Sequence, residues 1–168
     1  LRVYHWFAFF SGAEPRSYGF DAQIDLEGQV VSEHDVAQVL ASCDVPEYGE
    51  DREVLHAQPV NFAIDNRSGL SDPRGQLGNA LSVDMHMLTV DAAAVQHLAH
   101  CIKRCDLELA GIASSAYVSG ISALVEDEQE LGAACIDLGG GSTSVSIFIR
   151  KHMIYADSVR MGGEHITS

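Results

Sequence analysis

The stretch IDLGGGSTSVSIFI at 136–149 constrains this sequence more than any other. An apolar run ends in Asp137, three consecutive glycines follow, and a second run returns with alternating polarity. This pattern predicts a strand, a tight glycine turn and a second strand. A hairpin turn needs only two residues, so three glycines do more than a hairpin requires. Without a Cβ, successive amide N–H groups can converge on an anion, and here they belong to Gly139, Gly140 and Gly141.

The residues around these glycines fit a phosphate and a metal. Ser142 and Thr143 add hydroxyl donors. Asp137 ends the first strand, where its carboxylate can hold magnesium through the water shell that this metal gives up reluctantly. For the loop taken alone, the alternative interpretation is a flexible hairpin turn that binds no ligand. The sequence has no GxxxxGK[ST] pattern and no GxGxxG after a strand, so binding of a nucleotide would require a different phosphate-binding architecture.

The charge balance excludes some classes of partner. The 168 residues carry 10 Lys and Arg against 24 Asp and Glu, a net charge of -14. Such a surface repels phosphodiester backbones and anionic lipid, so we expect no nucleic-acid partner. No stretch approaches the ~20 apolar residues of a membrane-spanning helix.

The cysteines raise the question of a metal site. Cys43, Cys101, Cys105 and Cys135 form no CxxC pair, and three of them lie in apolar patterns. We therefore expect buried, reduced cysteines of a cytosolic protein. His97, Cys101 and Cys105 recur at four-residue intervals, and two such side chains on one helical face could bind zinc. No second ligand pair appears at a suitable spacing, which favours cysteines that border an apolar stripe.

A run of carboxylates offers a second alternative site. It could bind a cation or supply paired carboxylates, and its members are Glu126, Asp127, Glu128 and Glu130. Like charges this close repel unless a metal joins them, so a solvated acidic bend is favoured. GxSxG and HExxH motifs are absent from the sequence, so nucleophilic and zinc-protease chemistry have no support.

Hydrophobic periodicity and capping residues predict the other elements. Ser32 with Asp35 resembles a capping box for a helix at 33–43, and Asp91 can cap a helix to about Arg104. Pro59 makes the strand pattern at 52–65 an edge or bulged strand. We also expect strands at 16–25, 81–90, 107–113, 131–137, 143–149 and 153–161, a surface loop at 66–79, and helices at 114–125 and from Glu164 onward. The helix at 114–125 is rich in small residues that permit close packing: Ser115, Ala116, Ser119 and Gly120.

Several motifs together resemble known families. SSAYVSGISALVEDEQELGAACIDLGGGSTSVSIF resembles the helix, strand and second phosphate loop of actin-like ATPases, and RMGGEHIT is similar to the paired glycines that open a helix in their second lobe. Within that group, DREVLHAQPVNFAID, GLSDPRGQLGNALSVDMHMLTV and HLAHCIKRCDLELAGIASSA resemble the FtsA family of bacterial cell-division proteins. This resemblance covers about residues 16–168.

The resemblance implies an α/β fold of the actin-like, ribonuclease H-like ATPase type, incomplete here, with an inserted SHS2 subdomain. Residues 1–15 stay unassigned, and 16–90 would form the SHS2-type subdomain, whose end falls between 90 and 105. Residues 91–130 would complete the first lobe, and 131–168 would begin the second. The matching positions imply a phosphate loop of Asp137, Gly139, Gly140, Gly141, Ser142 and Thr143, with Gly162 and Gly163 as the second-lobe glycine pair.

The resemblance also implies a function. It predicts an ATP- and magnesium-binding scaffold that self-associates into polymers and links the tubulin-like protein FtsZ to the cytoplasmic face of the inner membrane at the division site. The SHS2 region would contact later division proteins. FtsZ binding and membrane attachment would use a subdomain and a C-terminal amphipathic helix that this sequence does not contain.

Three departures from the family pattern shape these expectations. The first phosphate loop is not found, LRVYHWFAFFSGAE is unlike the family, and the sequence stops before the rest of the second lobe, so we expect a piece of a longer protein. Ser144 stands where many relatives have an acidic residue, so at most slow ATP hydrolysis is expected, and none from this piece. Two alternatives stay open: an exopolyphosphatase-like enzyme of the same superfamily, and a protein-interaction module without nucleotide.

Overall fold

The computed structural model describes residues 6–166. Strands and helices alternate irregularly along this range, which makes the architecture mixed α/β. The strands are β1 (Trp6–Phe10), β2 (Arg16–Asp25), β3 (Arg52–Ile64), β4 (Arg67–Leu70), β5 (Ala80–Asp91), β6 (Leu109–Ser114), β7 (Ala133–Leu138), β8 (Thr143–Ile149) and β9 (His152–Val159). The helices are α1 (Glu33–Ala41), α2 (Ala92–Arg104), α3 (Ser115–Ala123), α4 (Glu126–Leu131) and α5 (Gly163–Ile166).

The chain divides into two compact units. One comprises Tyr18–Glu47 and Ala57–Met87. Its four-stranded sheet has the order β2-β5-β3-β4, and α1 packs against it. The core of this unit consists of aliphatic and aromatic side chains from both layers, among them Leu26, Val39, Phe62, Ile64 and Leu81.

The other unit carries the glycine loop. It comprises the residues through Ser17, Tyr48–His56 and the chain from Leu88 onward. β1 pairs with β6 in parallel, and β7, β8 and β9 form an antiparallel sheet in that order. Buried side chains of β8 and β9 pack with α3 around Phe148, Met153 and Ala116. Buried Arg52 ties this unit together because its guanidinium donates to the carbonyl oxygens of Glu14 and Thr89.

The predicted helix caps are confirmed. Ser32 accepts a hydrogen bond from the Asp35 amide, and the Asp35 carboxylate accepts from the Ser32 amide, which completes the capping box of α1. Asp91 accepts from the Ala94 amide at the start of α2. Arg150 and Lys151 form the turn between β8 and β9, both with positive φ.

Three segments differ from expectation. The loop expected at 66–79 contains strand β4, which pairs with β3 from Phe62 to Ile64. The acidic bend is instead helix α4, and the unassigned segment 1–15 contains β1; residues 1–5 lie outside the described part. β3 is flanked by β5 and β4, so it is not an edge strand, but its pairing with β4 shifts register between Phe62 and Ala63, which fits the bulged-strand alternative. Pro59 nevertheless lies before the three residues that pair with β4, where β3 has a partner on one side only.

The expectation of buried cysteines is wrong. Cys101 and Cys105 are exposed, and Cys43 and Cys135 are half-buried. Val95 is the one buried residue of α2 that the structure describes, so both thiols lie away from the packed side of that helix. All four cysteines are free thiols. Within residues 6–166, no helix is long and apolar enough to cross a membrane.

Candidate functional site

The glycine loop is the turn of an antiparallel hairpin, as predicted. β7 and β8 pair from Ala133 opposite Phe148 to Leu138 opposite Thr143. The four residues 139–142 connect the strands, and the Gly139 amide donates to the Ser142 carbonyl oxygen over 2.9 Å. The loop is therefore a closed turn.

The three glycines have different steric roles. A Cβ on Gly139 would lie 2.9 Å from the Ser142 carbonyl oxygen, which is closer than real Cβ contacts, so this position requires glycine. A Cβ on Gly141 would meet no atom within 4 Å, and one on Gly140 would meet the Glu164 carboxylate at 3.5 Å. The absence of side chains at Gly140 and Gly141 is not needed to close the turn.

The loop presents unused amide donors. Within residues 6–166, the amides of Gly140, Gly141 and Ser142 make no hydrogen bond, whereas the Gly139 amide is used within the turn. Three consecutive amides without a partner fit an anionic ligand such as a phosphate, because exposed backbone donors favour negative charge. Of the three glycine amides expected to bind an anion, that of Gly139 is therefore already used inside the turn.

The second glycine motif lies directly on this loop. The Gly163 and Glu164 amides donate to the carbonyl oxygens of Gly139 and Gly140 over 2.9 Å and 3.0 Å. A Cβ on Gly162 would collide with those same carbonyl oxygens. The Thr143 hydroxyl donates to the Met161 carbonyl oxygen over 2.7 Å. The structure therefore brings together two motifs that the sequence separates by about twenty residues.

A cavity of about 320 Å³ adjoins this junction. Both motifs contribute to its lining: Leu138, Gly139, Thr143, Met161, Gly162, Gly163 and His165. The His165 ring is held in place because its Nδ1 accepts from the Gly162 amide over 3.3 Å. This volume is at the lower end of the ~300–1,000 Å³ of small-molecule sites.

Asp137 lies two residues before Gly139, and its carboxylate is bonded by a helix outside the hairpin. Its Oδ2 accepts a hydrogen bond from the Ser119 hydroxyl over 2.9 Å. Within the described range 6–166, no three His, Cys, Asp or Glu side chains converge to hold a metal ion. One carboxylate with waters and substrate phosphates is nevertheless sufficient for magnesium. The residues present therefore fit a magnesium–phosphate group.

The two alternative sites gain no support. His97, Cys101 and Cys105 belong to no such cluster of three ligands among residues 6–166. The acidic run begins α4, where carboxylates in the first turn favour the helix N-terminus. Glu126 pairs with Lys151 at 3.0 Å, and the hydrogen bond from Lys151 lowers the pKa of this carboxyl.

Ser119 and His56 were not predicted as site residues. Ser119 was identified only as a small residue, although its hydroxyl contacts the predicted magnesium ligand. The Nε2 of His56 accepts from the Ser114 amide over 3.0 Å, immediately before α3, and the ring packs on Tyr117. A histidine in a strand gives no signal of such a contact, because its partner is 58 residues away.

Comparison with known proteins identifies the family. Residues 12–89 match the model of the SHS2 domain inserted in FtsA. Over 149 residues, 89% of this chain, the sequence is 42% identical to the cell division protein FtsA of Rhizobium meliloti strain 1021. This chain belongs to the FtsA family. The FtsA of Bacillus subtilis strain 168 is 30% identical over 144 residues, 86% of the chain. The chain spans about a third of these relatives, 34% and 33% of their lengths.

The fold of this FtsA-family chain also matches a solved structure. The PilM–PilN type IV pilus biogenesis complex contains a chain that superposes with a TM-score of 0.60 at 12% identity. The match covers 99% of this chain and 46% of that one. Together with the SHS2 match, it confirms the expected α/β actin-like fold with an SHS2 subdomain.

Proposed function

We propose that this chain acts in bacterial cell division as part of an FtsA-type scaffold that binds ATP with magnesium. The observation that carries this proposal is the set of three amides, those of 140–142, that have no partner within residues 6–166 and lie where the two glycine motifs meet. Bound ATP supplies the γ-phosphate whose presence distinguishes two assembly states. The chain's own contribution is to hold that group between the hairpin loop and the Gly162–Gly163 segment.

Each predicted site residue has a distinct part in this proposal. Gly139 closes the turn, and Gly140, Gly141 and Ser142 offer amides to phosphate oxygens. Thr143 holds the second motif through Met161, and Gly162 permits the close contact that Gly163 then secures with its amide. Asp137 would hold magnesium through water.

Hydrolysis is at most slow in this proposal. Ser144 occupies the position where the family resemblance predicts an acidic residue, and it is buried in β8 with 7% exposure. A buried hydroxyl in the sheet neither holds a water at the loop nor takes its proton. ATP thus serves as a ligand that sets the assembly state.

The wider role of the scaffold follows from family membership. We propose self-association, links from FtsZ to the cytoplasmic face of the inner membrane at the division site, and contacts of the SHS2 region with later division proteins. The proposed domain division assigns 16–90 to that SHS2 part, 91–130 to the rest of the first lobe and 131–168 to the start of the second. An exopolyphosphatase is disfavoured, because the SHS2 match covers a region that such an enzyme is not expected to contain.

A substitution in the loop tests nucleotide binding. Gly140→Val adds a branched side chain beside an unused amide, so we expect loss of ATP–magnesium binding in calorimetry. Gly141→Ala is a companion variant: its Cβ meets no atom within 4 Å, so the fold is preserved and a loss of affinity reports blocked approach of the ligand to the loop. Unchanged ATP affinity in Gly140→Val contradicts the assignment of the loop.

A further inference from the structure

The contact between Ser119 and Asp137 links α3 to the candidate site. Ser119 lies near the middle of α3, and its Oγ–H donates to Oδ2 of Asp137 over 2.9 Å. The other carboxylate oxygen, Oδ1, makes no hydrogen bond within residues 6–166. One oxygen is therefore restrained and the other remains available.

This contact depends on how closely α3 approaches the sheet. A Cβ on Gly120 would collide with the Phe148 ring, so α3 packs at a distance that only glycine allows there. On the same side of the helix, the Ser146 hydroxyl donates to the Ala116 carbonyl oxygen over 2.8 Å. A serine side chain has one rotatable bond before its oxygen, so it reaches Asp137 only from a helix this close.

We propose that Ser119 is a positioning residue that orients Asp137 toward magnesium, and that it sets the magnesium requirement of the site. The inference rests on the proposed function. With Oδ2 held by Ser119, Oδ1 would be the oxygen left to accept from a magnesium-bound water. Without this bond, the carboxylate rotates freely and must be ordered when the metal binds.

Other hydroxyls do not substitute for Ser119. Ser115 lies one turn earlier in α3, and among residues 6–166 its side chain makes no hydrogen bond. In the sequence, Ser142 and Thr143 follow the three glycines, whereas Asp137 precedes them. The Thr143 hydroxyl is bonded to the Met161 carbonyl oxygen. Ser119 is the residue bonded to the Asp137 carboxylate in this part of the chain.

The test compares magnesium dependence with magnesium-free binding. Affinity for a fluorescent ATP analogue is measured across a magnesium titration and again in chelator, for the 168-residue chain and its variants. Loss of a partner that orients a metal ligand typically weakens metal binding by about tenfold or more, so Ser119→Ala is expected to raise the magnesium midpoint about tenfold. Its affinity in chelator stays unchanged. Ser115→Ala is the control and behaves as wild type.

Two further variants separate orientation from packing. Ser119→Thr keeps the hydroxyl and is expected to retain the wild-type midpoint, whereas Ser119→Val has the same shape without the donor and loses it. This pair decides the proposal even if Ser119→Ala folds poorly. An unchanged midpoint in Ser119→Val, or an equal loss of affinity in chelator, overturns the positioning role while the proposed function stands. If the wild-type chain binds no nucleotide at any magnesium concentration, both fail.

Discussion

Replacing Gly162 with alanine tests whether the two glycine motifs must touch. The new Cβ would overlap the carbonyl oxygens of Gly139 and Gly140, so either the loop or the 161–164 segment must shift. A shift breaks the hydrogen bonds from the Gly163 and Glu164 amides. Overpacking and lost backbone bonds of this kind cost about 2 kcal/mol together.

The strain is expected to act locally. The segment follows the last strand of the sheet, so it can detach while β7, β8 and β9 stay folded. The relevant measurement is therefore amide hydrogen exchange at Gly163 and Glu164. About 2 kcal/mol corresponds to about 30-fold faster exchange at these two amides.

Gly163→Ala is the matched control for this prediction. A Cβ on Gly163 would lie 3.9 Å from the Gly139 carbonyl oxygen, an ordinary contact. We expect its neighbouring amide at Glu164 to exchange less than about threefold faster. Equal effects of the two substitutions, or unchanged exchange in Gly162→Ala, would refute the reasoning that close packing selects glycine at one position of the pair.

Two other substitutions test contacts away from the loop. Burial lowers the pKa of His56 in the folded chain, so the unfolded chain takes up this proton first as pH falls below about 6.5. Stability therefore drops over that range, and less so in His56→Gln, as measured by urea unfolding. Identical pH dependence of the two proteins would contradict this. Lys151→Gly relieves a φ of +65° in a two-residue turn, and we expect stabilisation by about 0.5–1 kcal/mol relative to Lys151→Ala, which loses the same ion pair with Glu126 but keeps the strain. A lower urea midpoint for the glycine variant would exclude this cause.

Elements with a strong local signal were predictable. The capping box at Ser32 and the alternating run of β8 specify their conformation within a few residues, so the sequence placed both correctly. β4 and β1 were missed for the opposite reason. RSGL is a polar tetrapeptide that becomes a strand by pairing with β3, and β1 pairs with β6 about a hundred residues away.

Helix α4 shows how a distant contact changes a local preference. Four carboxylates in close succession predicted a bend. In the structure, the Lys151 ammonium pairs with Glu126, and the amides of Arg150 and Lys151 donate to the carbonyl oxygens of Glu130 and Gln129. The hairpin turn thus neutralises a carboxylate at the start of α4 and supplies donors to the carbonyl oxygens near its end. No pattern within the acidic run reveals these contacts.

The sequence by itself determined the hairpin, its glycine loop and the family resemblance, because periodicity, turn composition and motif spacing are properties of neighbouring residues. Only the tertiary structure decided that a Cβ can be accommodated at Gly163 but not at Gly162. It also decided that Thr143 bonds to Met161 and that Ser119 bonds to Asp137. Each of these depends on which atom lies opposite a given residue. Packing of α3 and the segment after β9 sets those distances, and local sequence does not encode them.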